Sequence, residues 1–461
     1  MKVLLTHGYF LQEDEREQQI MKPYPPLGIL YISSYLEEQE IEHEVFDTTF
    51  SSETEWWTYV EEKKPGVIAF YVNLMTKVKI IHLIRKIRSS EGLASTKIVL
   101  GGPDITYNEE NYLEAGADFL VIGEGEETFT ELVQCLKSND SLEDVNGLTY
   151  RQQGEIKRNK PRIRVKEVDF LPLPNRSRFP IEKYLATWKK AHGKSALNVS
   201  TQRGCPYTCK WCSTAVYGQS YRRRSPEKVV EELKTLMETY QPDTFWFVDD
   251  VFTVSHKWMR GFAEAMKAAD LKVQYECITR AERMNEEIIQ ILKETGCFRV
   301  WIGAESGSQK IIDAMDRRVD IDVVRDQLIA TRKAGIETGT FIMVGYPGET
   351  YDDILKTATY LESALPDQFT ITKSYPIKGT SLYDEVESEI TKQPDWFSST
   401  DREIDFKREY PDHFYEAAIR YIHNRVKLKR NEIGTIDRMK TKLKVAISHN
   451  TMKRIAKSVG K

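Results

Sequence analysis

The chain is short of cysteine, of long apolar runs and of any excess of charge. Six cysteines among 461 residues are too sparse for a disulfide scaffold, which small secreted domains build at far higher density. No run of 18 apolar residues occurs, so no stretch reads as a membrane span. The opening Met1-Lys2-Val3-Leu4-Leu5-Thr6-His7 carries a hydrophobic run too short for a secretory signal. Sixty-six Lys and Arg against 70 Asp and Glu leave a net charge of −4, which gives no general pull toward nucleic acid. What remains is a composition of 40% hydrophobic and 30% charged residues, ordinary for a soluble globular protein with ample core material. The length suggests about three domains, and the few free thiols suit a reduced, cytoplasmic setting.

Three of the six cysteines stand within eight residues, in Cys205-Pro-Tyr-Thr-Cys209-Lys-Trp-Cys212. The strand-like Leu197-Asn-Val-Ser-Thr201 leads into them through Arg203-Gly204. A closed zinc site takes four ligands, usually as two separated pairs. Here Cys277 and Cys297 stand alone, and no histidine follows at finger spacing. Short runs of thiolates also hold iron–sulfur clusters, normally four at a time. Three would leave one iron without a protein ligand, as catalytic metal sites leave a position open. On spacing alone, zinc and redox thiols stay open beside the cluster.

With Trp211 before the last cysteine, the Cys-x3-Cys-x2-Cys run resembles the signature of the radical S-adenosylmethionine (SAM) family. The resemblance implies a 4Fe-4S cluster on Cys205, Cys209 and Cys212. Its open iron would bind the amino and carboxylate groups of SAM, with Trp211 beside it. One electron would then cleave SAM to methionine and a 5′-deoxyadenosyl radical. An electron donor such as flavodoxin or ferredoxin is implied as partner.

Residues 1–140 alternate short apolar runs with helical patterns. Strands are expected at 2–5, 43–46, 67–71, 97–100 and 119–122, and helices at 27–38, 77–89, 109–115 and 127–137. Such alternation argues a doubly wound, Rossmann-like parallel sheet, whose ligands sit at the carboxyl ends of the strands. The loops there are Pro25-Pro26-Leu27-Gly28, Asn73-Leu74-Met75, Gly101-Gly102-Pro103-Asp104 and Gly123-Glu124-Gly125-Glu126. Gly123-x-Gly125 lacks the third glycine of a dinucleotide fingerprint and follows the wrong strand for one. The set, with Tyr31 and Tyr35, resembles the cobalamin-binding domain that precedes many radical SAM enzymes. By that resemblance Pro26, Leu27, Gly28, Asn73, Leu74, Met75, Gly101, Gly102, Pro103, Gly123, Glu124 and Gly125 would contact cobalamin. The first loop, Thr6-His7-Gly8-Tyr9-Phe10, lacks the Asp-x-His-x-x-Gly of the mutases and methionine synthase. Cobalamin is therefore expected without a histidine below the cobalt, with 73–75 near its lower face.

Residues 141–195 read as a linker: a small hairpin around Gly154, then Pro161, Pro172, Pro174 and Pro180 in an irregular basic stretch. From 196 to 385 six further strand-and-helix units are expected, enough for an open six-stranded barrel. Ser225 and Pro226 start a helix to Tyr240, and Arg222-Arg223-Arg224 before it reads as an anion contact or a solvated face. Strand ends meet polar residues at Asp249-Asp250, Arg280, Glu305-Ser306 and Gly345-Tyr346-Pro347-Gly348, on the face where parallel barrels keep their active sites. By the same resemblance Asp249 and Asp250 would hold the SAM ammonium group. Arg280, Glu305 and Ser306 would hold its carboxylate or ribose, and Gly345 would lie near its adenine. Residues 386–461 form a small, mostly helical region with a basic tail, whose default is a solvated face.

The fold expected is α/β throughout, and the resemblance covers 1–385. It implies an enzyme of the class containing the anaerobic magnesium-protoporphyrin IX monomethyl ester cyclase. Hydrogen abstraction from a small-molecule substrate would be followed by methyl transfer from methylcobalamin, the commoner outcome in the class. The alternatives are oxidative cyclisation without methylation and a cluster-bearing sensor or binding protein without turnover.

Overall fold

The computed structural model describes residues 1–430 and 433–459. They divide into two compact units, one of 1–206, 213–246 and 394–403, the other of 207–212, 247–393 and 404–461.

In the first unit β1 (Val3–His7), β2 (Glu44–Phe46), β3 (Val67–Tyr71), β4 (Lys97–Gly101), β5 (Phe119–Val121), β6 (Leu148–Gln152) and β7 (Glu155–Arg158) form one sheet. Its order is β2-β1-β3-β4-β5-β6-β7. The pairings from β2 through β5 are parallel. Parallel strands are covered on both faces, so β3 reads as the nearly unbroken apolar run Val67-Ile68-Ala69-Phe70-Tyr71. Ile68, Phe70, Ile98 and Leu100 of the sheet pack with Ile80 and Ile84 of helix Lys77–Arg88.

Three features of this unit lie outside the sequence pattern. Helix Glu53–Lys63 is mostly polar and shows no long apolar stripe. It starts on a Ser52/Glu55 capping box and buries only Trp56 and Val60. The hairpin around Gly154 pairs antiparallel onto β5 and extends the sheet. The proline-rich stretch contains helix Ile181–His192, which begins directly after Pro180. Proline breaks a helix interior but is tolerated before its first turn. Tyr184 of this helix donates to Asp47 at 2.9 Å, and Trp188 to the Pro23 carbonyl at 2.8 Å. Trp396 of the returning segment donates to Asn108 at 3.1 Å and meets Tyr112 edge-on at 4.8 Å.

The chain continues with β8 (Ala196–Val199), β9 (Gln202–Arg203), β10 (Arg222–Arg223), β11 (Thr244–Phe247), β12 (Tyr275–Thr279), β13 (Cys297–Ile302), β14 (Glu337–Val344) and β15 (Gln368–Lys373). Six of these make the second large sheet, in the order β15-β14-β13-β12-β11-β8. In the second unit β12 to β15 pair in parallel, neighbour by neighbour. The fold class is α/β with two mainly parallel sheets, the second a half-barrel. Helices Asp412–Arg430 and Thr435–Val459 close the described chain.

Candidate active site

In the second unit the strand ends gather charge. Arg280 follows β12 and is only 4% exposed. Its Nε donates to Glu282, its Nη2 to the Arg317 carbonyl, and its Nη1 to Cys209 Sγ at 3.3 Å. The guanidinium lies 3.9 Å from the Tyr207 ring centre, within cation–π range. After β13 the chain bends at Glu305, whose φ of 65° lies in the left-handed region. The bend is held by β14: the Glu305 amide donates to the Phe341 carbonyl at 2.8 Å, and the Met343 amide to the Glu305 carbonyl at 2.7 Å. Burial raises the Glu305 carboxyl to a pKa of about 7, against the pull of the Arg317 and Arg280 charges. Arg317 Nη2 donates to the Gly303 carbonyl at 3.0 Å, while its buried Nε has no partner.

Ser306 turns inward. Its hydroxyl shares a hydrogen bond with Thr357 at 3.2 Å and accepts from the Ser308 amide at 3.2 Å. Asp249 is buried, whereas Asp250 is exposed. The protein around Asp250, and then the Asp249 charge, raise its pKa. Gly345 adopts a φ of 77° and donates to Glu349 Oε2 at 2.6 Å. Burial and the nearby Asp353 charge lift Glu349 to about 8, against the Gly345 hydrogen bond.

The cysteine loop is pinned from several sides within this unit. Thr208 donates to Asp316 at 2.6 Å, Arg283 to the Tyr207 hydroxyl at 2.6 Å, and the Lys210 amide to the Met315 carbonyl at 3.1 Å. Trp211 packs against an apolar group that includes Met315, Tyr346 and Leu382. Cys209 is half-buried and Cys212 exposed. Cys205 is half-buried in the first unit. It follows Gly204, whose φ is 82° and where a Cβ would stand 2.3 Å from Ser220 Oγ. Cys277 and Cys297 are buried.

The first sheet presents its own loops at the carboxyl ends of β3, β4 and β5. Asn73 Oδ1 accepts from the Met75 and Thr76 amides at 2.9 and 3.0 Å, which leaves Met75 40% exposed. At Gly102 a Cβ would stand 2.2 Å from the Val72 carbonyl oxygen, and φ is 117°, so only glycine fits. At Gly101 nothing lies within 4 Å of an added Cβ. Helix Leu27–Glu38 opens beside Pro26, and a Cβ added at Gly28 would meet the Tyr71 ring at 3.5 Å. His7 is buried against Asp47 at 2.9 Å and Thr48 at 2.9 Å.

Glu124 is engaged by protein. It takes Arg222 at 2.6 Å, Arg203 at 3.4 Å and the Val165 amide at 3.1 Å. Glu126 holds Arg203 through both carboxylate oxygens, and Arg203 lies between the Tyr31 and Tyr217 rings at 5.2 and 5.3 Å. Arg224 pairs with buried Glu232 at 2.5 Å. Arg222 and Arg224 of the arginine run therefore meet protein carboxylates, while Arg223 donates to the Thr201 hydroxyl at 3.0 Å. Arg203 and Arg317 carry no motif signal, and the motifs that hold Arg222 and Glu126 do not reveal their partners, because each gains its role from a group 14 to 98 residues away in sequence.

Comparison with known proteins agrees with this layout. Residues 199–361 match the Radical SAM superfamily, and residues 19–133 match the B12 binding domain. An uncharacterized methyltransferase of Pyrococcus horikoshii is 30% identical over 370 residues, covering 78% of each chain. The chain belongs to the cobalamin-binding radical SAM family. A second relative is the cytidylyl-2-hydroxyethylphosphonate methyltransferase of Streptomyces wedmorensis, 24% identical over 77% of each chain. The anaerobic magnesium-protoporphyrin IX monomethyl ester cyclase of Rubrivivax gelatinosus is 22% identical over 85% of this chain and 71% of its own. Among solved structures, the cobalamin-dependent radical SAM enzyme OxsB superposes with a TM-score of 0.76 at 18% identity, over 98% of this chain and 72% of its own. It thus shares the fold.

The cofactors of this radical SAM protein are a 4Fe-4S cluster, SAM and cobalamin, and its residues suit them. Among the described residues no three His, Cys, Asp or Glu side chains converge on a single ion. A four-iron cluster asks instead for soft thiolates, and none of the thiols of Cys205, Cys209 and Cys212, which are close in sequence, is fully buried. The unpartnered buried Nε of Arg317 beside a half-neutral Glu305 suits a ligand carrying both charge and hydrogen-bonding groups. The open space above Gly101 suits a flat macrocycle.

Proposed function

We propose that this protein is a cobalamin-dependent radical SAM methyltransferase acting on a small molecule. The observation that carries the proposal is the pairing, in one chain, of a cysteine loop pinned beside Arg280 with a glycine-edged sheet end that leaves room above Gly101. Cys205, Cys209 and Cys212 are the cluster ligands, and residues 196–385 form the barrel that carries them. The 1–140 domain holds cobalamin through the loops at Pro26–Gly28, 73–75, 101–103 and 123–125. With both groups bound, the cluster supplies the electron that cleaves SAM and cobalamin supplies the methyl group.

The chain's own groups bind and orient. Arg280 sets its positive charge beside Cys209, where it complements the negative charge of a thiolate-held cluster. Glu305, close to half-ionised at neutral pH, accepts hydrogen bonds from SAM, and Asp250 faces its ammonium group. Ser306 acts by fixing the turn that presents Glu305. Glu124 and Glu126 act by holding Arg203 and Arg222 and thereby Gly123 and Gly125. A reduced cytoplasmic setting and a flavodoxin- or ferredoxin-type donor complete the reading. Among the described residues no helix is long and apolar enough to cross a membrane.

The test is anaerobic purification from cells given iron and cobalamin, then incubation with SAM and dithionite. Wild-type protein should show bound corrin, iron and sulfide, and should release 5′-deoxyadenosine. Cys209→Ala should lose iron and 5′-deoxyadenosine while keeping corrin. S-Adenosylhomocysteine formed alongside supports methyl transfer, and its absence with substrate turnover would favour oxidative cyclisation. Zinc in place of iron would overturn the reading.

A further inference from the structure

Helix Thr435–Val459 has two apolar faces, and only one of them is used by the fold. Thr441, Ser448, Met452 and Ile455 are buried. On the opposite side Ile436, Met439, Leu443 and Ile447 are 70%, 67%, 62% and 57% exposed. Their spacing of three, four and four residues stacks them in one stripe, about 16 Å long at 1.5 Å per residue. Exposed aliphatic residues are ordinary when scattered, but a continuous stripe marks a contact surface.

The charge around the stripe selects the partner. The helix carries seven Lys and Arg against a single acidic residue, Asp437, in a chain whose net charge is −4. Lys440 and Lys444 flank the stripe on one side and Lys442 on the other, all exposed. A second copy of the chain would bring these like charges together. Protein interface cores favour aromatic residues and arginine and are depleted in lysine. The stripe has no aromatic residue, and five of the seven basic residues are lysines. Lysines beside an aliphatic stripe suit a lipid surface. Their stems lie along apolar tails while the ammonium groups reach anionic headgroups.

We propose that this face seats the protein reversibly on an anionic membrane surface, lying flat in the headgroup layer. Among the described residues no helix is long and apolar enough to cross the bilayer, so the attachment is peripheral. The proposal is independent of the cofactor assignments.

The test is co-sedimentation of the full chain with vesicles of phosphatidylcholine alone or mixed with phosphatidylglycerol. Binding should be at least ~10-fold stronger to the anionic vesicles and should fall as salt screens the lysines. Leu443→Glu and the pair Lys440→Glu/Lys444→Glu should each abolish it with the thermal transition unchanged, because these side chains are exposed. Equal binding to both vesicle types, no binding to anionic vesicles, or full binding by Leu443→Glu would overturn the proposal. So would a concentration-dependent dimer that Leu443→Glu dissolves, which would give the face to a second copy.

Discussion

Glu126 and Glu305 are both glutamates withdrawn from water at the carboxyl end of a parallel sheet, and the fold treats them oppositely. Around Glu126 burial alone would raise the pKa, but the Arg203 charge and its hydrogen bonds more than offset it and hold the carboxyl low. Around Glu305 burial wins and the pKa rises to about 7, although Arg317 and Arg280 stand near. Glu126 spends both oxygens on Arg203, whereas Arg317 beside Glu305 keeps an unpartnered Nε. A carboxylate whose bonds are filled by protein is structural. One left high in pKa among partly used cations is poised for a ligand.

Removing the structural member should have the largest effect. Glu126→Ala strips buried Arg203 of its bidentate partner and leaves only Glu124 at 3.4 Å. Unfolding free energy from denaturant titration should fall by about 3 kcal/mol, the lower end for a broken buried pair. Loss under 1 kcal/mol would place Arg203 in water-accessible surroundings and dissolve the contrast.

The same distinction between scaffold and site applies to two neighbouring glycines. Gly102→Ala meets the Val72 carbonyl at 2.2 Å with φ at 117° and should cost about 2 kcal/mol in strain. Gly101→Ala meets nothing within 4 Å and should leave stability within ~0.5 kcal/mol while weakening corrin retention. Unchanged corrin content in folded Gly101→Ala protein would count against a ligand above that loop.

Glu305→Gln should be nearly silent in stability, within ~1 kcal/mol, because it replaces a carboxylate that burial already disfavours. Its signature is functional: 5′-deoxyadenosine formation should fall ~10- to 100-fold, the worth of one charged hydrogen bond. Wild-type rates in this variant would remove Glu305 from the SAM site.

The smallest effect is a slope. Glu305 and Glu349 have folded pKa values raised from 4.5 to about 7 and about 8. Between pH 4.5 and those values the folded chain holds protons that the unfolded chain has lost. Their contribution is therefore full below 4.5 and declines as pH rises, by at most ~1.4 kcal/mol per pH unit for each group. Without added SAM, Glu349→Gln should flatten the stability profile up to about pH 8 and Glu305→Gln only up to about 7. An unchanged slope in both would mean that neither carboxyl is desolvated.

Much of the fold was legible because periodicity survives in single residues. Helices Leu27–Glu38 and Glu109–Ala115 and strand Val67–Tyr71 have the expected ends. Helix Glu53–Lys63 was not legible, since two buried side chains and a capping box leave no stripe. Helix Ile181–His192 hid behind the prolines around it. Ser306 and Glu124 read as ligand contacts from their motifs, and their protein partners, Thr357 and Ser308 for the one and Arg222, Arg203 and Val165 for the other, were not legible there.

The sequence by itself determined the chemistry: three cysteines at fixed local spacing, a glycine at each turn where a Cβ would collide, and the alternation that builds parallel sheets. These are local properties, carried within a few residues of chain. Tertiary structure alone decided which charges are spent and which are free. Arg203, Arg222 and Arg317 acquire their meaning from partners distant in sequence. Whether a buried carboxylate ends low or near neutrality depends on the balance of burial against those partners, which no local pattern records.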